Sequence, residues 1–394
     1  MNPSTRCTRL FFLDWVRILA FFVLILYHVG MYYVSWDWHV KSPEASAAIE
    51  PLMLLSSPWR LGLLFLISGV ASRFMLARAG AGTFMRSRSV RLMPPLLFGM
   101  LVIVPLQPYF EVLEKLAYQG SLFDFMRLYL SAYHGFCKDG CLILPTWNHL
   151  WFVAYLLAYT LVLGALVAVL GKRLEALGER CAALLGGWKL LALPFAVLAL
   201  QRLLLMPHFP TTHALVDDWY SHAHYLFLFL LGVLVARDGA FWARVGALRF
   251  PGLGVALGCW AMLVICYALP APAAAPWWPL LRCVHALCEW SAIIAVCGFA
   301  HRHLQFDSAR RRYLTEAVFP VYIVHQTLIV SIAHLIKPAR IAAPIEAVVL
   351  IALTLCLSFA IFEGVRRVRL LRPLFGLGPL PASSLCAAAS PACA

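Results

Sequence analysis

The chain has 394 residues, 62% of them hydrophobic and only 13% charged, with a formal net charge of +14 and a mean hydropathy of +0.82. A surface that poor in charge cannot clothe a water-soluble protein of this size, which excludes a soluble globular enzyme. The positive charge lies in short clusters between apolar runs, the loop bias of a membrane protein, so no nucleic-acid partner is expected and membrane lipid is.

Runs of about 20 apolar residues, enough to cross roughly 30 Å of hydrocarbon, recur along the chain. They lie at approximately 11–34, 58–77, 92–110, 149–170, 188–206, 221–236, 250–269, 280–300, 317–336 and 343–363. Only helices satisfy every backbone group within such runs, so the pattern predicts an all-α, polytopic transmembrane bundle of about ten spans. The first run is too long and aromatic for a signal-peptide core and is expected to stay in the mature protein. Arg6 and Arg9 precede it, and Arg73, Arg78, Arg86, Arg88 and Arg91 crowd the second connection. Lys172, Arg173 and Arg180 are in the fourth, Arg237, Arg244 and Arg249 in the sixth, Arg302 and Arg310 to Arg312 in the eighth, and Arg366, Arg367, Arg369 and Arg372 follow the last span. The other connections carry acids such as Asp37, Glu44, Glu50, Glu111, Glu114, Asp124, Asp139, Asp217 and Asp218. Both termini are therefore expected in the cytoplasm, in a cell inner membrane; Lys337 and Arg340 in the last outer loop are the exception.

The longest connection, roughly 111–148, is too short to hold a core of its own, so residues 1–374 read as one membrane domain. Residues 375–394, rich in Gly, Pro, Ala and Ser, read as a disordered cytoplasmic tail. Cys259, Cys266, Cys283, Cys288, Cys297 and Cys356 lie inside apolar spans, where cysteine acts as a small hydrophobe. Cys137 and Cys141 alone are placed to pair, around Gly140 on the expected oxidising side; a disulfide and two free thiols both remain open. No Cys-His spacing reads as a metal site, and no permanently bound cofactor is expected.

Function must be read from polar groups inside the spans, because an ionisable side chain in hydrocarbon costs several kcal/mol without a partner or a wet cavity. Asp14, Arg17 and His28 share one face of the first span, with His28 about 16 Å beyond Arg17. Asp14 and Arg17 also fit an ion pair fixing the helix start, and His28 a buried structural histidine. His285 and Glu289, four apart, share a face where the carboxylate can orient the imidazole, with a structural role preferred. Trp219, His222 and His224 border the outer end of the sixth span and suit either a sugar ring or an aromatic belt.

The segment from Arg9 to His28, with Arg17 and His28 separated by ten residues, resembles the opening of the membrane-bound acyltransferase 3 family. Arg88-Ser-Val-Arg91 ahead of Leu-Met-Pro-Pro is similar to that family's basic Arg-x-x-Arg element. Asn148-His149-Leu150-Trp151-Phe152 and Pro320-Val-Tyr-Ile-Val-His325 match later elements, in order, over nearly the whole chain. Ser35-Trp-Asp-Trp-His-Val-Lys-Ser42 is similar to the subgroup that succinylates periplasmic glucans.

The resemblance implies an O-acyltransferase moving an acetyl or succinyl group from a cytoplasmic acyl-CoA to a carbohydrate hydroxyl at the periplasmic face. Imidazole has the right basicity to take that hydroxyl's proton, directly or after carrying the acyl group, which makes His28 the expected catalytic base. Arg17, with Asp14 beside it, is expected to hold the donor arm or stabilise an oxyanion. Arg86, Arg88 and Arg91 suit the phosphates of coenzyme A, although a positive-inside bias alone also places arginines there. His149, Trp151, His325, Trp38 and His39 are the expected acceptor-binding residues. Arg60, Arg202 and Arg282 are candidates, unranked, for holding an acyl carboxylate. The rival classes are a proton-coupled transporter and a flippase-like or scaffold protein that uses its polar stripe for helix association.

Overall fold

The computed structural model describes residues 10–138, 140–171, 173–270 and 275–379; Arg6, Arg9, Asp139, Lys172 and the expected tail from residue 380 lie outside the described residues. The regular elements among the described residues are helical: α1 (Phe11–Tyr33), α2 (Glu50–Ser56), α3 (Arg60–Leu76), α4 (Ala81–Phe98), a π-helical turn (Gly99–Ile103), α5 (Leu106–Leu116) and α6 (Leu122–Leu130) come first. Then follow α7 (Trp151–Leu170), α8 (Arg173–Leu184), α9 (Lys189–Leu204), α10 (Trp219–Val235), α11 (Gly239–Ala247) and α12 (Arg249–Tyr267). The last are α13 (Trp278–His303), α14 (Ala309–Ile336), α15 (Ala343–Arg367) and the short α16 (Leu371–Leu374).

Eight helical stretches are long and apolar enough to cross a membrane, and two bent pairs, α8 with α9 (109°) and α10 with α11 (115°), raise the number to as many as ten. The chain is thus a polytopic, multi-pass helical membrane protein, and each expected run has its counterpart. The runs at 188–206 and 221–236 are the halves of the bent pairs. The first bend follows Gly187, whose φ of +55° suits glycine. The second is a helix restart, where the Asp238 carboxylate accepts from the amide of Phe241 at 2.6 Å.

Two compact units divide the chain. The first comprises residues up to Asp37, Glu44–Arg86 and Ala154–Thr315. Within it α12, α9 and α11 pack on α13, α3 packs on α10, and α1 touches α3 and α13. The α3/α10 crossing depends on Gly69 and Gly232, each lying against a backbone carbonyl of the facing helix, Phe229 and Leu66 respectively. Such small residues let transmembrane helices approach closely where lipid offers no hydrophobic drive to associate.

The second unit comprises Trp38–Pro43, Ser87–Val153 and the chain from Glu316 onward. Pro94, Pro95 and Pro105 interrupt the amide ladder around the π turn, and carbonyls released there are answered by side chains. Met100 O accepts from the Tyr129 hydroxyl at 2.7 Å, and Ile103 O from the Thr327 hydroxyl at 3.1 Å. Burial pushes the Tyr129 phenol up to about 12.

The connection after residue 110 does gather a core, against expectation: Val112, Phe125, Tyr129, Phe136 and Leu144 are buried together. Helix α5 runs on to Leu116 and supplies one wall, so the connection need not build a core alone. Cys137 and Cys141 are joined as a disulfide within it. Lys337, an exception to the charge bias, is 2.8 Å from Glu114, which also meets His334 at 2.9 Å. Phe375 and Leu377, which the sequence assigns to the tail, are buried, and Arg372 bonds Gly378 O at 2.6 Å.

The α3/α10 crossing predicts that Gly232→Val lowers the stability of the purified protein by at least about 2 kcal/mol, read as a drop in melting temperature. Gly254→Val, on the open face of α12, serves as control and is expected to leave it nearly unchanged.

Candidate functional site

In the first unit the α1 stripe is anchored at its start by ions. Arg17 Nη2 lies 3.7 Å from one Asp14 oxygen, and the guanidinium of Arg311, at the start of α14, bonds the other. Arg311 is 1% exposed and also grips Asp307 at 2.8 and 3.0 Å, while Arg312 reaches Asp307 at 2.8 Å. The Arg311 guanidinium, before Arg312, holds the Asp307 carboxyl below the usual carboxylate range. Phe11 stacks under Arg311, and the Trp15 indole donates to Phe306 O at 3.3 Å. Asp14 is therefore the hub that ties α1 to α14, and Arg17 is positioned through it. His28, half-buried further along α1, lies beside Tyr27 with ring centroids 6.1 Å apart.

The three arginines of α4 do not form one patch. The helix is continuous from Ala81 to Phe98, so Arg86 stands about 160° around it from Arg88, with Arg91 nearer to Arg88. Arg86 and Arg91 are exposed and Arg88 is half-buried.

Deeper in the first unit is a buried polar cluster. Glu289 on α13 accepts from His224 Nε2 on α10 at 2.9 Å, both being nearly inaccessible. This corrects the expected local pairing of Glu289 with His285, whose Nδ1 is hydrogen-bonded to nothing among the described residues. A cross-helix imidazole reaches the carboxylate because Gly62 on α3 leaves room beside it. Arg202 donates to the Tyr220 hydroxyl at 2.7 Å. Nearby, Tyr155 donates to Asp218 at 2.6 Å, and His222, stacked on Tyr155, meets the Tyr159 hydroxyl at 3.1 Å.

A cavity of 260 Å³ in the same unit is lined by Arg73, Glu175, Glu179, Arg237 and Asp238. Its mixed charges, with Glu175 bridging Arg73 and Arg237 at 3.0 and 3.1 Å, suit a polyanion poorly.

The second unit brings His39 and His149 into one hydrogen-bonded network, with Trp38 beside His39 and His325 beside His149; Trp151 opens α7 two residues after His149. Gln107 on α5, fully buried, is the centre of the network: its amide nitrogen donates to Thr327 Oγ1 at 2.7 Å and meets His149 Nδ1 at 3.2 Å. Its carbonyl accepts from Asn148 and from Gln326, each at 3.0 Å. His149 must then donate from Nε2, and the acceptor is Ile323 O at 3.1 Å. His325 donates from Nδ1 to Tyr322 O at 2.6 Å and packs edge-on to His149, ring centroids 5.2 Å apart. His39 donates from Nδ1 to Glu111 at 2.5 Å, which leaves Nε2 as the acceptor for Gln326 at 3.3 Å. Lys115 shares Glu111 at 2.8 Å. Trp38 is buried beside His39.

Gln107, Glu111, Gln326 and Thr327 are the site residues that sequence reasoning missed. The available signal was the one used for charges: Gln107 and Gln326 are amides in otherwise apolar runs. Among the described residues no group of three or more His, Cys, Asp or Glu side chains is placed to hold a metal ion.

Residues 10–363 match the family model described as an acyltransferase domain, the acyltransferase 3 type. The chain is 26% identical over 390 residues to "Glucans biosynthesis protein C" of Salmonella schwarzengrund, covering 95% of this chain and 97% of that one. It is 28% identical over 162 residues to the protein of the same name from Escherichia coli K12, covering 41% and 39% respectively. No solved structure matches.

Two predictions follow from the geometry. Gln107→Leu strands four polar partners in the second unit and should cost about 3 kcal/mol, measured as a lowered melting temperature of the purified protein. Arg311→Ala removes the buried cation shared by Asp14 and Asp307 and should cost about 3 kcal/mol, whereas Arg312→Ala, at an exposed position, should change the melting temperature far less.

Proposed function

The chain belongs to the membrane-bound acyltransferase 3 family, and on that premise we propose that it moves an acetyl or succinyl group from acyl-CoA to a carbohydrate hydroxyl. In this reading both termini are cytoplasmic, the membrane is the cell inner membrane, and the acceptor is a glucan or related envelope glycan on the periplasmic side. The observation that carries it is the network of amides and imidazoles around Gln107, in a unit otherwise built of apolar helices. Buried amides with fixed donors and acceptors, with Trp38 beside the His39 that Gln326 meets, are the groups that recognise sugar hydroxyls and sugar faces. The Salmonella relative's name refers to glucans, which supports the same acceptor class.

The reaction needs one proton moved and one bond exchanged. The acceptor oxygen attacks the thioester carbonyl, its C–O bond forms as the C–S bond breaks, and the hydroxyl proton ends on the departing coenzyme A thiolate. His28 is the carrier of that proton, either in one step or after holding the acyl group itself. Arg17, oriented by Asp14 and through it by Arg311, is the cation for the donor arm or the developing oxyanion. Arg88 and Arg91 bind the phosphates of coenzyme A, and Arg86, on the opposite face of α4, takes no part. No resident cofactor enters the scheme. Acyl-CoA is a co-substrate.

Mass spectrometry of glycans from cells carrying the native chain or His28→Ala, at matched membrane levels, tests this. We expect an acetyl or succinyl ester that falls at least about a hundredfold in the variant. An ester that persists in His28→Ala rejects the assigned base. No ester with either chain rejects the transferase reading in favour of a transporter.

A further inference from the structure

The 260 Å³ cavity of the first unit takes no part in the acyl-transfer scheme, yet it is a built feature. It lies between α8, the last turn of α3 and the junction of α10 with α11. Helix α8 bends 109° from α9, and α11 bends 115° from α10, so at this end the chain turns from running along the spans to running across them. Such turns lie at the headgroup level of a bilayer. The walls are held in place. Gly178 on α8 lies against the Leu234 carbonyl of α10 with no room for a side chain, and Arg244 on α11 donates to Ala182 O at 2.8 Å. A volume below the roughly 300–1,000 Å³ of drug-sized pockets suits one small polar group.

The lining charges say which group. Two guanidinium groups, Arg73 and Arg237, face three carboxylates, Glu175, Glu179 and Asp238. Both arginines bond the same Glu175 oxygen through one nitrogen each, so both keep further N–H donors for an anion. Asp238 is occupied in capping α11 through the Phe241 amide. Glu179 forms no hydrogen bond or ion pair among the described residues, although it stands four residues from Glu175 on one face of α8. Like charges at that spacing repel, so Glu179 is a place for a cation. A ligand bearing phosphate alone meets three carboxylates, and one bearing an amine alone meets two guanidinium groups. A ligand with both charges a few bonds apart answers both. The rest of the lining is Leu174, Gly178, Val233 and Leu234, with no aromatic ring to cage a quaternary ammonium. A primary ammonium has three N–H donors for carboxylates, and a quaternary one has none.

We propose that this cavity holds the headgroup of a zwitterionic phospholipid with a primary amine, phosphatidylethanolamine. Its phosphate lies against Arg73 and Arg237, its ammonium against Glu179, and its glycerol over Leu174, Val233 and Leu234. A lipid so held ties α8 to the ends of α3 and α10 and stabilises the first unit. The site is independent of the acyl-transfer reading.

The test is thermal denaturation of the purified full-length protein, stripped of lipid in a neutral detergent. It is titrated separately with phosphatidylethanolamine, phosphatidylcholine and phosphatidylglycerol of the same acyl chains. The native chain should reach half-maximal stabilisation at about tenfold lower phosphatidylethanolamine than either other lipid, and Glu179→Gln should bring the ethanolamine and choline midpoints together. Glu179 is exposed and bonds nothing among the described residues, so that variant keeps the fold. Arg180→Gln, next on α8 and outside the lining, should keep the preference. Glycerophosphoethanolamine carries the same charges without acyl chains and should give no stabilisation at the lipid's midpoint. Stabilisation by it at that concentration assigns the cavity to a soluble zwitterion and overturns the lipid. Equal midpoints for the three lipids, a preference for phosphatidylglycerol or phosphatidylcholine, an ethanolamine preference that survives Glu179→Gln or is lost in Arg180→Gln, or no response to any lipid overturns the site.

Discussion

A polar side chain within an apolar span is tolerated only when another group answers it, and the distribution of answers organises this protein. In the second unit every polar contact around Gln107 has a reciprocal partner, down to the tautomers of His149 and His39. The same demand shapes the backbone there. The π turn releases carbonyls, and the hydroxyls of Tyr129 and Thr327 take up two of them. Local backbone irregularity and side-chain network are thus one structure, because Thr327 belongs to both.

The first unit meets the demand differently. Its helices come together through glycines, so carbonyls face glycine backbones at close range and little side-chain volume separates α3 from α10. That closeness lets His224 reach Glu289 past Gly62. Polar groups here are joined in small separate sets, such as His224 with Glu289 or Glu175 with Arg73 and Arg237. A satisfied network is suited to hold a neutral, hydroxyl-rich molecule at its rim with little rearrangement.

Composition and apolar periodicity made the spans legible in the sequence, since about 20 apolar residues in hydrocarbon leave no alternative to a helix. The α1 stripe was legible for the same reason, through helical spacing. What was hidden depends on long-range partners. Asp14 is completed by Arg311, 297 residues away, and no local pattern announces that. Glu289 pairs with His224 rather than with its helical neighbour His285, because tertiary contact outbids an i, i+4 relation worth only a few tenths of a kcal/mol. The arginines of α4 are close in sequence and divergent in space, as any residues two apart on a helix must be. Gln107 and Gln326 were passed over because attention went to charges, yet an uncharged amide in hydrocarbon carries the same obligation to be bonded.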